Sequence, residues 1–407
     1  MKNNLIFKDF LWRALQIGFR QGAYLLIFLI SAAFLSPIDF GKLSLLLAIV
    51  LLISTIGNLG LSSAVSKFIA ESSIKHDLKI KTIVSSSFFL GFLVSAVLLV
   101  LSIIYNYYFQ SVNFYFLFLT PVIVFTSLIG VYDGLYVGLK RFKSLAILTI
   151  IPSILSILFT FWCVKNYSLT GALISQGVFY GVNFFFLFIP NISLTFGRFS
   201  GPLIKKMFSY SIVIAVANVS LFLYTRFVLF ILNSQGSIEL VGYYELVIRI
   251  LFVLINIFAA IGIILGPRKI EEHISFGKDH IRKQLVKHSK LSFYFSIIIL
   301  LFLYLTFPLV LKNLFPEYYN SDFLFIFHVV SLIFPLYAIE AVVSNGYITP
   351  LGYAKILIYP LILGILALGS IWLFMGEVIN VKLLIILFVI ITNLVNLLKI
   401  ILFYRKL

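Results

Sequence analysis

The chain has 407 residues, of which 62% are apolar and only 11% are charged. Soluble domains are roughly 45–50% apolar and about 25% charged, so this composition excludes a water-soluble protein. It also excludes a disordered chain, because disorder requires low hydrophobicity. The mean hydropathy of +1.12 therefore indicates a polytopic membrane protein.

A helix crosses the ~30 Å hydrocarbon core with about 20 apolar residues. In chain order the sequence predicts twelve transmembrane helices, over 12–35, 42–65, 82–107, 114–138, 144–164, 169–190, 208–234, 241–266, 291–312, 322–347, 356–375 and 381–403. Long unbroken apolar runs such as 83–105 favour helices over the alternating ~10-residue strands of a membrane barrel. The predicted fold is all-α and integral to the membrane. The single cysteine, Cys163, allows no internal disulfide, and we expect neither a metal site nor a cofactor.

The basic residues predict how these helices are oriented. Of the 31 lysines and arginines, 23 lie on the side of the N-terminus, 4 lie on the opposite side and 4 lie within spans. Cytoplasmic loops carry an excess of basic residues, so both termini are expected in the cytoplasm. The net charge of +17 is therefore explained by the basic residues of cytoplasmic loops, and it does not indicate nucleic-acid binding.

Two pairs of short segments repeat about two hundred residues, or six spans, apart. Residues 37–41 (PIDFG) after the first span resemble 237–242 (SIELVG) after the seventh, and 134–138 (GLYVG) resemble 346–352 (GYITPLG). Repeats separated by an even number of spans have the same orientation. The pattern predicts two six-helix bundles, 1–200 and 201–407, related by a pseudo-two-fold axis along the membrane normal.

Ionisable side chains are costly in hydrocarbon, so those within spans are candidate functional positions. In chain order they are Arg13, Arg20, Asp133, Arg226, Glu245, Arg249, His328 and Glu340. Residues at three- and four-residue steps share one face of a helix. The first span has such a polar face, formed by Arg13, Gln16, Arg20 and Tyr24.

Several of these positions have a structural explanation that the sequence leaves open. The side chain of Arg13 is close enough to the interface to reach the headgroups. Asp133 lies about 10 Å along its helix from Lys140, which is a possible partner. Glu245 and Arg249 are four residues apart and can neutralise each other.

Three further positions complete this comparison. His328 is predicted to be a packing residue of the bundle rather than a proton relay. Arg20 and Arg226 have no obvious partner on their own helices. These two arginines are therefore the strongest candidates for a binding site.

Four segments resemble those of a known transporter family. They are 57–71 (GNLGLSSAVSKFIAE), 134–142 (GLYVGLKRF), 241–245 (VGYYE) and 345–352 (NGYITPLG). Through these segments the chain resembles the polysaccharide flippases of the multidrug/oligosaccharidyl-lipid/polysaccharide exporter superfamily, which export O-antigen and exopolysaccharide. The resemblance runs from end to end, and it implies a transporter rather than an enzyme.

Relatives in this family move undecaprenyl-diphosphate-linked oligosaccharides from the cytoplasmic to the outer leaflet. The resemblance therefore implies a flippase for O-antigen or another surface polysaccharide repeat unit, in a bacterial inner membrane. It implies a lipid-linked oligosaccharide and membrane lipids as partners, together with a polymerase and glycosyltransferases of the same pathway. The chain departs from relatives that carry Asp near Asn58 and Asp before the arginine matching Arg226, where Thr225 stands here. Ion coupling through those two carboxylates is not implied.

For such a cargo, the arginines are the expected contacts of the diphosphate. Arginine stays charged, and its planar fork binds phosphate oxygens bidentately. Helical rise places Arg20 roughly 12 Å from the cytoplasmic end of its span, and Arg226 and Arg249 roughly 12 Å from the outer end. The predicted substrate-binding residues are Arg20, Arg226, Arg249, Gln16, Asn58 and Tyr24. Possible ion-coupling carboxylates are Asp133, Glu340 and Glu245.

Two other functions are weighed against the flippase. A cation-coupled antiporter for drugs or small molecules, of the same superfamily, is the main alternative, but its site is expected to be rich in carboxylates and poor in arginines. A membrane-embedded glycan polymerase is less favoured, because the longest predicted outer loop, 313–321, is only about ten residues. The sequence also has no cluster of His, Asp and Glu at catalytic spacing.

Overall fold

The computed structural model describes residues 2–74, 80–109, 114–353, 355–375 and 380–407. Within these ranges the regular structure is helical, and no strand is present. The α-helices are α1 (Lys2–Phe34), α2 (Pro37–Asn58), α3 (Leu61–Ile74), α4 (Ile80–Phe109), α5 (Phe114–Gly138), α6 (Phe142–Phe188), α7 (Ile192–Thr195), α8 (Gly201–Ser234), α9 (Ile238–Leu314), α10 (Ser321–Val330), α11 (Phe334–Val343), α12 (Lys355–Met375) and α13 (Val381–Lys406).

Eleven helical stretches of the described chain are long and apolar enough to cross a membrane. The longest, Phe142–Thr195, has 54 residues, which is enough for two crossings at about 20 residues each. It reverses at Ser168, where φ is 47° and ψ is −127°. A Cβ on Gly171 would lie 2.1 Å from the carbonyl oxygen of Cys163, so the two halves of α6 meet closely beside the reversal. The all-α membrane fold predicted from the sequence is confirmed.

Helix α9 also changes direction within its length. Its 77 residues include one non-helical residue, Gly277, with φ of 75°. Glycine adopts this left-handed conformation without steric cost. The predicted spans 241–266 and 291–312 leave 267–290 between them as a loop, whereas this segment is helical on both sides of Gly277. Its many lysines, arginines and glutamates are good helix formers, which accounts for the difference.

The second predicted span, 42–65, is divided between two helices. Helix α2 ends at Asn58, and α3 begins after Leu59 and Gly60, which have φ of 49° and 65°. A Cβ on Gly60 would lie 2.9 Å from the side chain of Ile214. Glycine therefore satisfies both the positive φ and the close approach at this position.

The tenth predicted span, 322–347, is also not one regular helix. A 3₁₀ turn over 331–333 separates α10 from α11, and a π-helical turn over 344–348 follows α11. Pro335 lies in the first turn of α11, where its missing N–H costs no helical hydrogen bond. The other span prolines, Pro121, Pro152 and Pro360, lie inside helices.

By their contacts the residues form two compact units, described here separately. Unit 1 comprises 1–35 and 43–222, and unit 2 comprises 36–42 and 223–407. The division into domains 1–200 and 201–407, and their pseudo-two-fold relation, stay predictions. The units nevertheless place the first part of α8 with the N-terminal helices, and the start of α2 with the C-terminal ones.

In unit 1, glycines on α5 allow α3 to pack against it. A Cβ on Gly134 would lie 2.5 Å from the carbonyl oxygen of Ser62, and one on Gly138 would lie 2.9 Å from that of Ser66. The residues buried around this contact include Val65, Ile69, Val131 and Leu135. Two of the four segments that carry the family resemblance, 57–71 and 134–142, are therefore packed on each other.

In unit 2, glycines bring the π-helical turn against α9. The Cβ position of Gly262 lies 2.9 Å from the Cβ of Asn345, and that of Gly346 lies 3.1 Å from the carbonyl oxygen of Gly262. An apolar cluster nearby includes Ile281, Leu285, Val343, Tyr347 and Phe403.

Candidate functional site

The strongest candidate in unit 1, Arg20, is engaged by a carboxylate from another helix. Its Nη1 lies 2.5 Å from Oδ2 of Asp133, and its Nη2 lies 3.0 Å from Oδ1. This bidentate arrangement is the strong form of a guanidinium–carboxylate contact. Nη2 also donates to the Thr149 hydroxyl at 3.4 Å. The structural alternative that paired Asp133 with Lys140 is wrong, because the carboxylate turns toward α1 instead.

The Arg20–Asp133 pair lies in the wall of a cavity of about 220 Å³ within unit 1. We call this the Arg20 cavity. Its polar lining comes from α1, α2, α3, α5 and α6, and consists of Arg20, Asn58, Ser62, Thr126, Asp133, Tyr180 and Asn183. The side chains of Arg20 and Asp133 keep 23% and 14% of their surface exposed. A solute in this cavity therefore has access to both members of the pair.

Asn58 enters the cavity at the C-terminal end of α2. Its amide nitrogen donates to the carbonyl oxygen of Thr126 at 3.4 Å. A Cβ on Gly130 would lie 2.9 Å from the same amide nitrogen, so the glycine leaves the space that the asparagine occupies. The structure thus brings Asn58 and Arg20 to one cavity.

The two remaining candidates of unit 1 have packing contacts. Gln16 is only 1% exposed, and its side-chain oxygen accepts from Nη1 of Arg13 at 2.7 Å. Arg13 is therefore bonded along its own helix. The ring of Tyr24 lies 5.9 Å from that of Phe179 and 6.4 Å from that of Tyr180, both of which line the Arg20 cavity. Tyr24 therefore contacts two lining rings without lining the cavity itself.

In unit 2, three candidates form one group that we call the Glu245 cluster. Glu245 is fully buried, and each of its two carboxylate oxygens forms an ion pair with a different guanidinium group. Oε2 is bonded to Nη1 of Arg226, and Oε1 lies 2.6 Å from Nε of Arg249. The pairing of Glu245 with Arg249 along the helix is present, and Arg226 adds a second cation from α8.

The Glu245 cluster concentrates positive charge at a buried position. Two arginines and one glutamate carry a formal charge of +1, and the arginine side chains are 13% and 6% exposed. An uncompensated buried charge costs several kcal/mol, so Glu245 is needed to hold both arginines here. An anion with more than one charge would be attracted to the same guanidinium groups.

Glu340 lies in a separate buried ion pair of unit 2. Its Oε1 accepts from Nζ of Lys399 at 2.9 Å and from the Ser344 hydroxyl at 2.7 Å. The side chains of Lys399 and Glu340 are only 4% and 9% exposed. Lys399 lies near the C-terminal end of α13, and it is buried against α11 rather than exposed.

His328 is exposed, and its Nδ1 lies 2.7 Å from the carbonyl oxygen of Leu324. It was predicted to be a bundle residue, and it contacts the rings of Tyr304 and Phe327 from the surface. It lines neither the Arg20 cavity nor the Glu245 cluster.

Sequence reasoning missed several residues of these sites. Ser62, Thr126 and Asn183 line the Arg20 cavity, but they are common residues on spans without a distinctive spacing. The burial of Lys399, in contrast, could have been predicted from the spacing of polar residues in the sequence. Thr392, Asn396 and Lys399 are at three- and four-residue steps and are all buried, which is a polar helix face like that of the first span.

The comparisons with known proteins agree with this architecture. An inward-facing multidrug resistance MATE family transporter of the MOP superfamily superposes with a TM-score of 0.76 at 15% identity, over 95% of this chain and 94% of that one. The lipid II flippase MurJ, in its inward closed conformation, gives 0.70 at 14% identity, over 98% and 87%. A MOP superfamily transporter from Pyrococcus furiosus gives 0.67 at 12% identity, over 98% and 95%. The fold is that of these membrane transporters.

The family follows from the sequence itself. Residues 6–268 match the model of a family described as polysaccharide biosynthesis protein. The chain belongs to this family, and the resemblance drawn from its short glycine-containing segments is confirmed. No curated protein sequence matches the chain at a significant level.

Proposed function

We propose that the chain is a flippase for an undecaprenyl-diphosphate-linked oligosaccharide. The cargo is the repeat unit of O-antigen or another surface polysaccharide, and it moves from the cytoplasmic to the outer leaflet by alternating access. Membership of the polysaccharide biosynthesis family supports the class of cargo. The observation that carries the proposal is the placement of arginines, with Arg20 in a polar cavity and Arg226 and Arg249 around Glu245.

The chemistry of a diphosphate suits these two sites. In each site a carboxylate of the protein already occupies guanidinium groups, as Asp133 does for Arg20. A diphosphate competes with that carboxylate for the same donors, and its higher charge favours it. When the cargo dissociates, the ion pair between the protein's carboxylate and the guanidinium group forms again. The arginine is therefore never buried without an anion. Binding is thereby reversible, which a transporter requires.

The topological predictions belong to the same proposal. Both termini lie in the cytoplasm of a bacterial inner-membrane protein, and 1–200 and 201–407 form the two bundles. Asp133, Glu245 and Glu340 are the carboxylates through which an ion gradient would act. Each of them is paired with a cation, so protonating any of them would release an arginine or a lysine.

The proposal is tested by deleting the gene and following the lipid-linked oligosaccharide. We expect it to accumulate in the cytoplasmic leaflet, protected from a membrane-impermeant glycan oxidant in spheroplasts, while its synthesis continues. Complementation with the wild type should restore surface polymer, and complementation with Arg20→Ala should not. Arg141→Ala is the matched control, because Arg141 is an exposed arginine outside both sites.

Other outcomes would favour the other functions. A deletion strain that keeps its surface polymer but becomes sensitive to cationic dyes would support the drug antiporter and contradict the flippase. A strain that translocates single repeat units but does not join them would support a polymerase.

A further inference from the structure

Most of the polar groups that line the Arg20 cavity are uncharged. Arg20 is the single cation among its described lining residues, and Asp133 already pairs with it. The formal charges of +1 and −1 cancel, so the described lining has no net charge. The other polar lining residues come from α2, α3, α5 and α6, and they are Asn58, Ser62, Thr126, Tyr180 and Asn183.

One of these residues, Asn183, has a buried oxygen without a partner. The residue is only 2% exposed, and its Nδ2 donates to the carbonyl oxygen of Phe179 at 2.8 Å. This bond determines the orientation of the amide, because the side-chain oxygen would be repelled by the same carbonyl. None of the described residues donates a hydrogen bond to Oδ1 of Asn183. A buried acceptor is costly to leave without a donor, so a ligand that supplies one completes the site.

A second amide oxygen and a hydroxyl group are open where α2 and α3 line the cavity. Nδ2 of Asn58 donates to the carbonyl oxygen of Thr126, which leaves its Oδ1 without a donor among the described residues. Ser62 lies in the first turn of α3, and the described part of the chain offers its hydroxyl no hydrogen-bond partner. Both residues are only partly buried, so a solute in the cavity can reach these groups.

These uncharged groups do not suit a diphosphate. The ionised oxygens of a diphosphate accept hydrogen bonds and donate none, so they can bind Arg20 but neither of the two amide oxygens. A sugar hydroxyl both donates and accepts, as a serine hydroxyl does. It can therefore satisfy the amide oxygens of Asn58 and Asn183 and the hydroxyl of Ser62.

The size of the cavity and its aromatic residues agree with one sugar ring. A volume of about 220 Å³ corresponds to about seven water molecules at ~30 Å³ each. A single pyranose with its hydroxyl groups is of this size, whereas an oligosaccharide is far larger. Phe179 and Tyr180 lie on the same face of α6 as Asn183, by their spacing of three and four residues. Their rings offer apolar surface to the C–H face of a pyranose.

We propose that the Arg20 cavity binds the sugar joined directly to the diphosphate, as an uncharged pyranose recognised through Asn58, Ser62 and Asn183. This inference rests on the proposed function and adds to it the class of the first sugar. In the proposed function Arg20 contacts the diphosphate, so the sugar within reach of the same cavity is the one next to the phosphates. The other sugars of the repeat unit do not fit in this volume, and the cavity does not select them.

The charges of the cavity disfavour an acidic first sugar. A uronic acid would bring its carboxylate beside Asp133, and Arg20 is the one cation in the part of the lining that the structure describes. That arginine is already shared between Asp133 and the diphosphate. Like charges repel strongly where little water screens them. A neutral hexose adds no charge, so the cavity selects it over the corresponding uronic acid.

The test is the binding of short cargo analogues to the purified full-length protein in detergent, measured by isothermal titration calorimetry. The ligands are farnesyl diphosphate and the same molecule linked through its diphosphate to glucose, galactose or glucuronic acid. At least one of the two neutral sugar ligands should bind the wild type about five-fold or more tighter than farnesyl diphosphate, as expected of two added neutral hydrogen bonds. The glucuronic acid ligand should bind no tighter than farnesyl diphosphate.

The changes Asn58→Leu and Asn183→Leu remove the two amide oxygens at nearly constant side-chain volume. Each should lower the affinity for the neutral sugar ligand roughly two- to ten-fold and leave the affinity for farnesyl diphosphate unchanged. Asn166→Leu is the matched control, because Nδ2 of Asn166 donates to the carbonyl oxygen of Trp162 at 2.7 Å in the same way, outside the cavity. Arg20→Lys should weaken both ligands by the same factor, since it acts on the diphosphate that they share.

Three results would overturn this inference and leave the diphosphate contact in place. The first is equal affinity of the wild type for farnesyl diphosphate and for every sugar-linked ligand, and the second is an equal loss of both kinds of ligand in Asn58→Leu and Asn183→Leu. The third is a glucuronic acid ligand that binds as tightly as the neutral ones. Failure of all the ligands to bind the wild type would instead contradict the proposed function itself. An unchanged unfolding midpoint without ligand shows that each variant is folded.

Discussion

Gly242 at the start of α9 lies against Gly41 at the start of α2. A Cβ on Gly242 would lie 3.1 Å from the amide nitrogen of Gly41 and 2.8 Å from the carbonyl oxygen of Pro37. In return, a Cβ on Gly41 would lie 2.0 Å from the carbonyl oxygen of Ile238. The two segments that repeat in the sequence, 37–41 and 237–242, therefore pack on each other within unit 2 through their glycines.

This contact predicts that a methyl group at either glycine is harmful. Gly41→Ala and Gly242→Ala should each lower the stability of the purified protein by about 1–3 kcal/mol, the usual effect of overpacking. Gly41→Ala should be the worse, because its methyl group meets backbone at the shorter distance. The measurement is the thermal unfolding midpoint in detergent.

Gly22→Ala is the control for this pair. No atom lies within 4 Å of a Cβ on Gly22, and alanine is a better helix former than glycine by about 1 kcal/mol. Its unfolding midpoint should be unchanged or higher. A fall equal to that of Gly41→Ala would mean that the close contact does not determine the effect.

The second prediction concerns Arg20. Arg20→Ala should abolish or strongly reduce export per molecule, and Arg20→Lys should keep part of it, because an ammonium retains the charge but loses the bidentate fit. Arg20→Glu should be the worst, since it places a second carboxylate beside Asp133. Export is normalised to the amount of protein in the membrane. Normal export by Arg20→Ala would remove the Arg20 cavity from the transport pathway.

The third prediction distinguishes the two arginines from the glutamate in the Glu245 cluster. Glu245→Gln leaves two guanidinium groups without their shared carboxylate, a loss expected to cost about 3–5 kcal/mol. Arg226→Gln should cost less, because Arg249 still neutralises Glu245 at 2.6 Å. Unfolding midpoints of the two variants give the comparison. An equal loss in both would show that the carboxylate is not shared as described.

The fourth prediction is a double-mutant cycle on Glu340 and Lys399. Each single change, Glu340→Gln or Lys399→Met, leaves one buried charge uncompensated and should destabilise the protein by about 3–5 kcal/mol. The double variant buries no charge at this place, so it should be more stable than either single variant. Additive losses in the cycle would contradict a direct ion pair.

The fifth prediction concerns topology. Reporter fusions after Lys143, Lys206 and Arg282 should be cytoplasmic, and fusions near Tyr107 and Asn320 should be external. The excess of basic residues on one side is the physical reason. An external reporter after Arg282 would contradict both the order of the spans and the argument from repeats.

Much of the fold was accessible from the sequence because length and hydropathy determine membrane spans. The predicted helices 144–164 and 169–190 differ by only a few residues from the two parts of α6 on either side of Ser168. Interruptions within spans were harder to predict. The π-helical turn over 344–348 packs against α9 through Gly346 and Gly262, which are far apart in the chain.

The candidate sites were predictable only in part. A polar face on one helix can be read from spacing, and so the sequence indicated Arg20. The partner of Arg20 is 113 residues away on α5, and no local pattern encodes which helices become neighbours. The same holds for Arg226, which has no obvious partner on its own helix in the sequence and contacts Glu245 of α9. The sequence suggested only Arg249 as the partner of Glu245.

The reversal of α6 at Ser168 has a consequence for experiments on the topology of this region. The two parts of α6 are joined without a loop, and a Cβ on Gly171 would lie 2.1 Å from the carbonyl oxygen of Cys163. There is therefore no space at this turn for additional residues. A reporter inserted between Lys165 and Thr170 is expected to disturb the turn itself, so the orientation of 142–188 is better tested with reporters outside this segment.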